Sequence, residues 1–217
     1  MLSKKAIVLG GSKGIGKAIA DSLRGIGCRV VAASRADVDT SDLASVETFV
    51  DFHRSIDILV LNTGGPPKKS FFDITSDEWL KYHKQLFLGF CVLLQRLRVN
   101  PGGYIFLISS IVAKKPEEEM VLSSAYRVAF WAVLKSLTKH YSKQGITCIN
   151  IAPGPIKTER LANLVDDMEK LESGLPLGRA GRPDEIGNFV RAVVEHDIKY
   201  LNGTTVNFDG GLSEEIF

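Results

Sequence analysis

The sequence predicts an α/β protein with a doubly wound parallel sheet between two layers of helices. Short apolar runs alternate with longer amphipathic segments, which is the pattern of successive strand-helix-strand units. Most apolar runs are continuous in Val, Ile and Leu, as is typical of strands buried on both faces. The length of 217 residues, with 45% hydrophobic and 24% charged residues, suits a single domain over residues 1–217.

Six strands and six helices are predicted from this alternation. The strands are expected at residues 6–9, 29–33, 56–61, 103–108, 146–151 and 204–208. The helices are expected at residues 14–26, 42–54, 76–98, 122–143, 160–172 and 183–195. Start signals support three of the helices: Ser41 or Asp42, Ser76, and Pro183 at a first helical position.

The connection after the second strand is too short. Only a few residues separate Ser34 and Arg35 from the helix that starts near Asp42. A parallel crossover with its own helix needs about ten to twelve residues. We therefore predict that the crossover and edge strand usually found there are deleted, or reduced to a stub at residues 37–39.

Charge and composition exclude several classes of protein. The 27 Lys and Arg residues exceed the 25 Asp and Glu residues by two and are scattered, unlike the basic patch of a nucleic-acid binder. No apolar segment approaches the 18 residues that a membrane span needs. The cysteines lie far apart among apolar neighbours, and the histidines lack ligand spacing, so we expect a cytoplasmic protein without a metal: Cys28, Cys91, Cys148, His53, His83, His140 and His196.

Glycines mark a candidate dinucleotide site. Residues 10–16 read Gly-Gly-Ser-Lys-Gly-Ile-Gly, directly after the first strand and at the start of the first helix. Gly10 allows a tight turn, the small residues let backbone approach a pyrophosphate, and the helix N-terminus supplies unpaired N–H groups. This arrangement predicts that the turn binds the phosphates of a dinucleotide.

The chain resembles the short-chain dehydrogenase/reductase family along nearly its whole length. The segments that carry the resemblance are the glycines at 10, 14 and 16, Asn62-Thr63-Gly64-Gly65, Ile108-Ser109-Ser110, residues 152–158 (Ala-Pro-Gly-Pro-Ile-Lys-Thr), Pro176-Leu177-Gly178-Arg179, residues 181–185 and Asp209-Gly210-Gly211. The resemblance implies a Rossmann-like fold, a nicotinamide cofactor and a small-molecule substrate. The cofactor-binding residues it implies are Gly10, Ser12, Lys13, Gly14, Ile15, Gly16, Ser34, Arg35, Asp39, Asn62, Gly64, Pro153, Gly154, Ile156 and Thr158.

The preferred cofactor is predicted to be NADP(H) rather than NAD(H). An acid at the end of the second strand would bind the ribose 2′-OH and repel a 2′-phosphate, but that position is Ser34. Arg35 and Lys13 supply cations suited to the phosphate.

The catalytic residues of the family are mostly replaced. Counting forward from Ser110, and back from residues 145–147 after the predicted helix 122–143, places the family's Tyr at Ser123 and its Lys at Arg127. No tyrosine is followed four residues later by lysine. The Asn position falls on Leu86, and Ser110 is retained. Residues 62–67 and 122–127 resemble divergent proteins labelled as similar to β-ketoacyl carrier-protein reductases. Tyr126 shares a broad helix face with Ser123 and is a further candidate, although packing in a helix interface is the alternative.

These residues predict an NADP(H)-dependent oxidoreductase for a small carbonyl or alcohol. In this hypothesis Ser110 holds the carbonyl oxygen, Arg127 holds the nicotinamide ribose, and Ser123 or Tyr126 places the proton through water. The alternatives are a catalytically inactive NADP(H)-binding sensor or partner subunit, and a structural protein that has lost the cofactor.

A homodimer or homotetramer is also expected, because helices 76–98 and 122–143 carry apolar residues on more than one face. These residues are Phe87, Phe90, Leu93, Leu94, Phe130, Trp131, Leu134 and Leu137.

Overall fold

The computed structural model describes residues 3–214, which form a parallel six-stranded sheet with helices on both faces. The strands are β1 (Lys5–Leu9), β2 (Arg29–Ala33), β3 (Ser55–Leu61), β4 (Arg98–Ile108), β5 (Thr147–Pro153) and β6 (Thr204–Phe208). Their order across the sheet is β2-β1-β3-β4-β5-β6. Every neighbouring pair is parallel, so the predicted fold class is confirmed.

Eight α-helices are described. They are α1 (Gly14–Gly25), α2 (Leu43–Phe52), α3 (Ser76–His83), α4 (Gly89–Arg96), α5 (Val121–Ser142), α6 (Glu159–Ala162), α7 (Met168–Ser173) and α8 (Pro183–Glu195). Helices α1 and α8 pack on one face of the sheet, and α2, α4 and α5 pack on the other. A membrane crossing requires a long apolar helix, and residues 3–214 contain none that meets both conditions.

Alternation along the strands explains why they are apolar throughout. In β1, Ile7 and Leu9 face the core beneath α2, α4 and α5, whereas Ala6 and Val8 face the core beneath α1 and α8. All four side chains are at most 1% exposed. Because helices cover both faces of the sheet, no side chain of these four residues faces solvent, and apolar and polar residues do not alternate.

Two helices that the sequence predicts as continuous are interrupted in the structure, so these two predictions are wrong in that respect. The predicted helix 76–98 is divided by a π-helical segment, Lys84–Leu88, between α3 and α4. The predicted helix 160–172 is two short helices, α6 and α7. Each has its own cap, since Thr158 accepts a hydrogen bond from the amide of Leu161 and Asp167 accepts one from the amide of Lys170.

The shortened connection after β2 is confirmed, because α2 follows with no intervening strand or helix in residues 34–42 and β2 lies at the edge of the sheet. Aspartates fold this connection locally: Asp37 accepts from the amide and hydroxyl of Ser34, and Asp39 accepts from the amide and hydroxyl of Ser41. The connection packs directly on α4, where a Cβ on Gly89 would overlap the carbonyl oxygen of Thr40.

Candidate functional site

The glycine turn after β1 is built for close backbone approach. Gly10 and Gly14 have φ angles of +58° and +56°, in the left-handed region that glycine adopts readily. A Cβ on Gly16 would overlap the carbonyl oxygen of Gly10. The amide of Asn62 donates to the carbonyl of Leu9 at 3.1 Å, which joins this turn to the end of β3.

Helix α1 begins at this turn with its N-terminus open. Its N-cap, Lys13, has extended backbone and makes no side-chain capping bond, and the first turn contains no acidic residue. The first amide groups of the helix are therefore without a side-chain acceptor. Their partial positive charge favours an anion at this end of the helix.

A cavity of about 560 Å³ lies above the carboxyl ends of β1 and β3. Among the predicted cofactor residues, it is lined by Gly10, Ser12, Lys13, Gly14, Ile15, Arg35, Asp39, Asn62, Gly64 and Thr158. It is also lined by residues that the sequence did not single out, including Val38, Thr40, Lys81, Tyr82, Gln85, Arg160, Asn163 and Leu164.

Five predicted cofactor residues do not line the cavity. Gly16 lies behind the turn, and Ser34 donates its hydroxyl to Asp37. Pro153 ends β5, and Gly154 packs on Asp209. Ile156 is buried and bridges to Gly181, so it supports the loop that carries Thr158.

Both cations predicted to hold a 2′-phosphate already have acidic partners. Lys13 Nζ lies 2.8 Å from Glu159, and Arg35 Nη2 lies 2.8 Å from Asp39. The side chains of Lys13 and Arg35 are 73% and 70% exposed. Because exposed ion pairs contribute about 0–1 kcal/mol, either cation can exchange its carboxylate for a phosphate at little cost.

Arg127 is held inside the protein at the carboxyl end of β4. Its Nη1 donates to the carbonyls of Ile108 and Ser109 at 3.0 and 3.1 Å, and its Nε donates to Ser123 Oγ at 3.1 Å. The residue is 9% exposed. The fold thus brings Ser123 and Arg127 together beside the backbone that leads into Ser110.

A second guanidinium lies near the first. Arg160, in α6, donates from Nη1 to the carbonyl of Gly65 and from Nη2 to the carbonyl of Pro66, both at 2.9 Å. A Cβ placed on Gly65 would lie 2.8 Å from Arg160 Nη2 and 3.2 Å from Arg127 Nη2. These two nitrogens are therefore no more than 6.0 Å apart.

The electrostatics of this pair are unfavourable without a counter-charge. Burial, and secondarily the charge of Arg160, lower the pKa of Arg127 to about 10, and burial also lowers the pKa of Arg160. Two like charges at this separation repel by roughly 3 kcal/mol at an effective dielectric constant of about 20. Both side chains remain cationic at neutral pH.

Ser110 and Ser123 differ in their exposure to solvent. Ser110 is half-buried and caps a short 3₁₀ turn, Ile111–Ala113, by accepting weakly from the amide of Val112 at 3.4 Å. Ser123 is 1% exposed, and its oxygen accepts from Arg127. Neither serine lines the cavity, nor do Tyr126 and Arg127.

Tyr126 packs in an aromatic cluster instead of extending toward Ser123. Its hydroxyl donates to the carbonyl of Trp79 at 3.1 Å, and its ring lies edge-on to the ring of Trp79. Burial raises the pKa of its hydroxyl, which makes it a weaker acid. Leu86, at the family's Asn position, is 2% exposed and belongs to the same cluster. This geometry favours the packing alternative for Tyr126.

Gln85 is one of the polar residues near the site that the sequence did not indicate. From the π-helical segment, its amide donates to the carbonyl of Gly64 at 2.6 Å and weakly to the hydroxyl of Thr63. It thereby fixes the loop between the cavity and the arginines. The available signal was a polar residue directly before the apolar Leu86.

Comparisons with known proteins agree with this fold. Residues 34–213 match the family model described as enoyl-(acyl carrier protein) reductase. A 3-oxoacyl-[acyl-carrier-protein] reductase of Chlamydia pneumoniae is 29% identical, with 98% of each chain covered. An acetoacetyl-CoA reductase of Shinella zoogloeoides is 27% identical, covering 97% of this chain and 98% of the relative.

A solved short-chain dehydrogenase/reductase from Serratia marcescens superimposes with a TM-score of 0.85 at 27% identity, covering 97% of this chain and 98% of that one. The alignment with the Chlamydia relative spans 247 positions. Since this chain has 217 residues, that relative contains segments without a counterpart here, in keeping with the shortened connection after β2. The family match, the glycine turn and the sheet order together establish that the chain belongs to the short-chain dehydrogenase/reductase superfamily of oxidoreductases.

Proposed function

We propose that this protein is an NADP(H)-dependent oxidoreductase that acts on a small carbonyl compound or alcohol. The observation that carries the proposal is the cavity that begins at the open N-terminus of α1 and continues past Asn62 and Gly64 to Arg160. The relatives from Chlamydia and Shinella are named as reductases of 3-oxoacyl carrier protein and of acetoacetyl-CoA, which supports carbonyl chemistry.

The residues present fit a dinucleotide. The turn at Gly10 and Gly14 and the amides of α1 suit the diphosphate, because side chains at these glycines would be strained and the helix end lacks an acceptor. Val38 and Asp39 offer a surface for the adenosine end. When bound, the cofactor supplies the hydride.

NADP(H) is the proposed form of the cofactor. Arg35 and Lys13 flank the end of the cavity formed by the connection after β2, and no acid stands at Ser34. Each charge-assisted bond to a phosphate contributes about 1.5–3 kcal/mol at best. That gain exceeds the small stability of the exposed pairs with Glu159 and Asp39.

The chain's own groups supply polarisation and charge. Ser110 is the half-buried hydroxyl at the end of β4 and is proposed to donate to the carbonyl oxygen. Ser123 accepts from Arg127, so its own proton is free to be donated, and the guanidinium stabilises the negative oxygen that would remain. Arg127 stays protonated and cannot transfer a proton itself. The proton must therefore pass from Ser123 through water.

The second candidate is an NADP(H)-binding protein without turnover. The observation that favours it is that none of the residues at the family's catalytic positions lines the cavity. An aliphatic hydroxyl is also a weaker acid than the tyrosine it replaces.

Titration of the purified protein with NADPH and NADH, followed by a screen of carbonyl substrates, tests the proposal. NADPH should bind at least about tenfold more tightly than NADH. Arg35→Ala should remove most of that difference, whereas Arg24→Ala, an exposed arginine on α1 paired with Asp21, should leave it unchanged. Equal affinity for the two cofactors overturns the choice of NADP(H). Tight binding with no turnover on any carbonyl selects the second candidate.

A further inference from the structure

Arg127 and Arg160 lack an acidic partner, although Arg127 is buried and Arg160 is half-buried. Within residues 3–214, no carboxylate oxygen lies within 4.0 Å of either guanidinium. The other described arginines without such a partner are exposed and are solvated by water: Arg29, Arg54 and Arg98. A buried charge that is left unpaired is costly, and a pair of like charges is more so.

The hydrogen bonds of the two side chains leave donors unused. Nη2 of Arg127 makes no described hydrogen bond, while its Nε and Nη1 are fully engaged. Arg160 uses one N–H of each Nη on backbone carbonyls, which leaves the second N–H of each and the Nε group. The Nη2 groups of the two arginines both lie beside Gly65, where no Cβ separates them.

We infer that Arg127 and Arg160 together form an oxyanion site, and that the anion is a carboxylate of the substrate. The inference rests on the proposed function and deepens it, since it makes the substrate a small oxo acid or hydroxy acid instead of a neutral carbonyl compound. The guanidiniums of Arg127 and Arg160 both lie beside Gly65. Paired N–H groups of this kind bind a carboxylate in bidentate fashion.

The cofactor diphosphate is the other possible source of an oxyanion. The open N-terminus of α1 provides for that diphosphate at the glycine turn. The guanidinium of Arg160 is directed to the loop after β3, at Gly65 and Pro66, and Arg127 approaches the same loop from the end of β4. This position adjoins Ser110 and Ser123, where the reacting group of the substrate is proposed to lie.

Matched acid and ester probes test the site. Calorimetry would measure binding of pyruvate against methyl pyruvate, and of benzoylformate against methyl benzoylformate, to the protein alone and in the presence of NADP⁺. Each acid should bind at least about tenfold more tightly than its ester. Arg160→Met should abolish that preference, and it should weaken binding of the acids by a larger factor than it weakens binding of NADPH. Arg191→Met, an exposed arginine of α8 paired with Glu195, should change neither quantity.

The outcomes separate the inference from the function on which it rests. Absence of an acid preference in both probe pairs overturns the carboxylate site, even if NADPH binds and neutral carbonyls are reduced. Equal weakening of NADPH and NADH in Arg160→Met, with acid binding retained, also overturns it and assigns the arginines to the diphosphate. An acid preference in a protein that binds neither cofactor supports the oxyanion site and rejects the oxidoreductase function.

Discussion

At the scale of single residues, Arg127 combines an anchoring role with a charge. Arg127→Ala would leave the carbonyls of Ile108 and Ser109 without their donor, and a buried unsatisfied group costs about 1–3 kcal/mol. We therefore expect a lower melting temperature together with weaker NADPH binding. Thermal melts and cofactor titration measure the two effects separately. Arg127→Lys, which retains a charge, should recover part of both. An unchanged NADPH dissociation constant in Arg127→Ala would show that Arg127 does not hold the cofactor.

Sequence reasoning reached some of these residues and not others, for physical reasons. Counting along one regular helix was enough to place Ser123 and Arg127 on the same face, and the structure joins them by a hydrogen bond. Gln85 could not be found that way, because a π-helical segment alters which side chains face the loop. Arg160 was hidden because its partners are backbone carbonyls of the loop after β3, which leave no pattern in the sequence.

At the scale of elements, helix caps make part of the stability dependent on pH. Bonds from Arg179 and from the backbone of Arg182 lower the pKa of Glu185, at the start of α8, to about 2 from an ordinary value of 4.5. The stabilisation from this carboxylate is present above about pH 4.5 and is lost as the pH falls toward about 2. Glu185→Gln should melt at a lower temperature at neutral pH and should lose less on going from about pH 5 to about pH 3. Parallel melting profiles for the two proteins would contradict this.

Substitution by alanine at two helical glycines should have opposite effects on the stability of the protein. Gly89→Ala would drive a methyl group into the carbonyl of Thr40 and should destabilise the protein by about 1–3 kcal/mol or more. Gly25, the last residue of α1, has open space where its Cβ would be. Gly25→Ala should therefore stabilise by about 0.4–1 kcal/mol. Urea denaturation measures both, and a neutral Gly89→Ala would show that the connection after β2 can move away from α4.

At the scale of the whole molecule, the outer surface of α4 and α5 predicts self-association. Trp131 and Leu137 of α5 are only half-buried there, as is Phe87 in the π-helical segment before α4, and Val128 of α5 is 47% exposed. Val128→Lys should shift the protein toward the 23.8 kDa monomer in sedimentation velocity. Val31→Lys, the same change at a 37% exposed valine on β2, should leave the association unchanged. A wild-type monomer at micromolar concentration would contradict the prediction.

The parallel sheet and its missing edge strand were accessible from sequence, because apolar runs alternate with helical segments and one connection is too short for a crossover. Because so few residues separate Ser34 from Asp42, the absence of one edge strand could be predicted. The division of the segment 160–172 into α6 and α7 was not accessible, because caps at Thr158 and Asp167 compete with one continuous amphipathic pattern. Threonine and aspartate are also common away from helix starts, so the sequence alone does not show that both residues act as N-caps.

Because the edge strand beyond β2 is missing, some backbone amides of β2 are directed toward β1 and the others are directed away from the sheet. Arg29 donates to the carbonyl of Lys4, and the carbonyl of Ala33 accepts from Gly11, so residues 29, 31 and 33 direct their polar groups toward β1. By the same alternation, Val30 and Ala32 direct theirs away from the sheet. In deuterium exchange, the amides of Val30 and Ala32 should exchange quickly, while the inward amides should exchange only when the domain opens. Slow exchange at Val30 and Ala32 would reveal that another polypeptide strand covers this edge in solution.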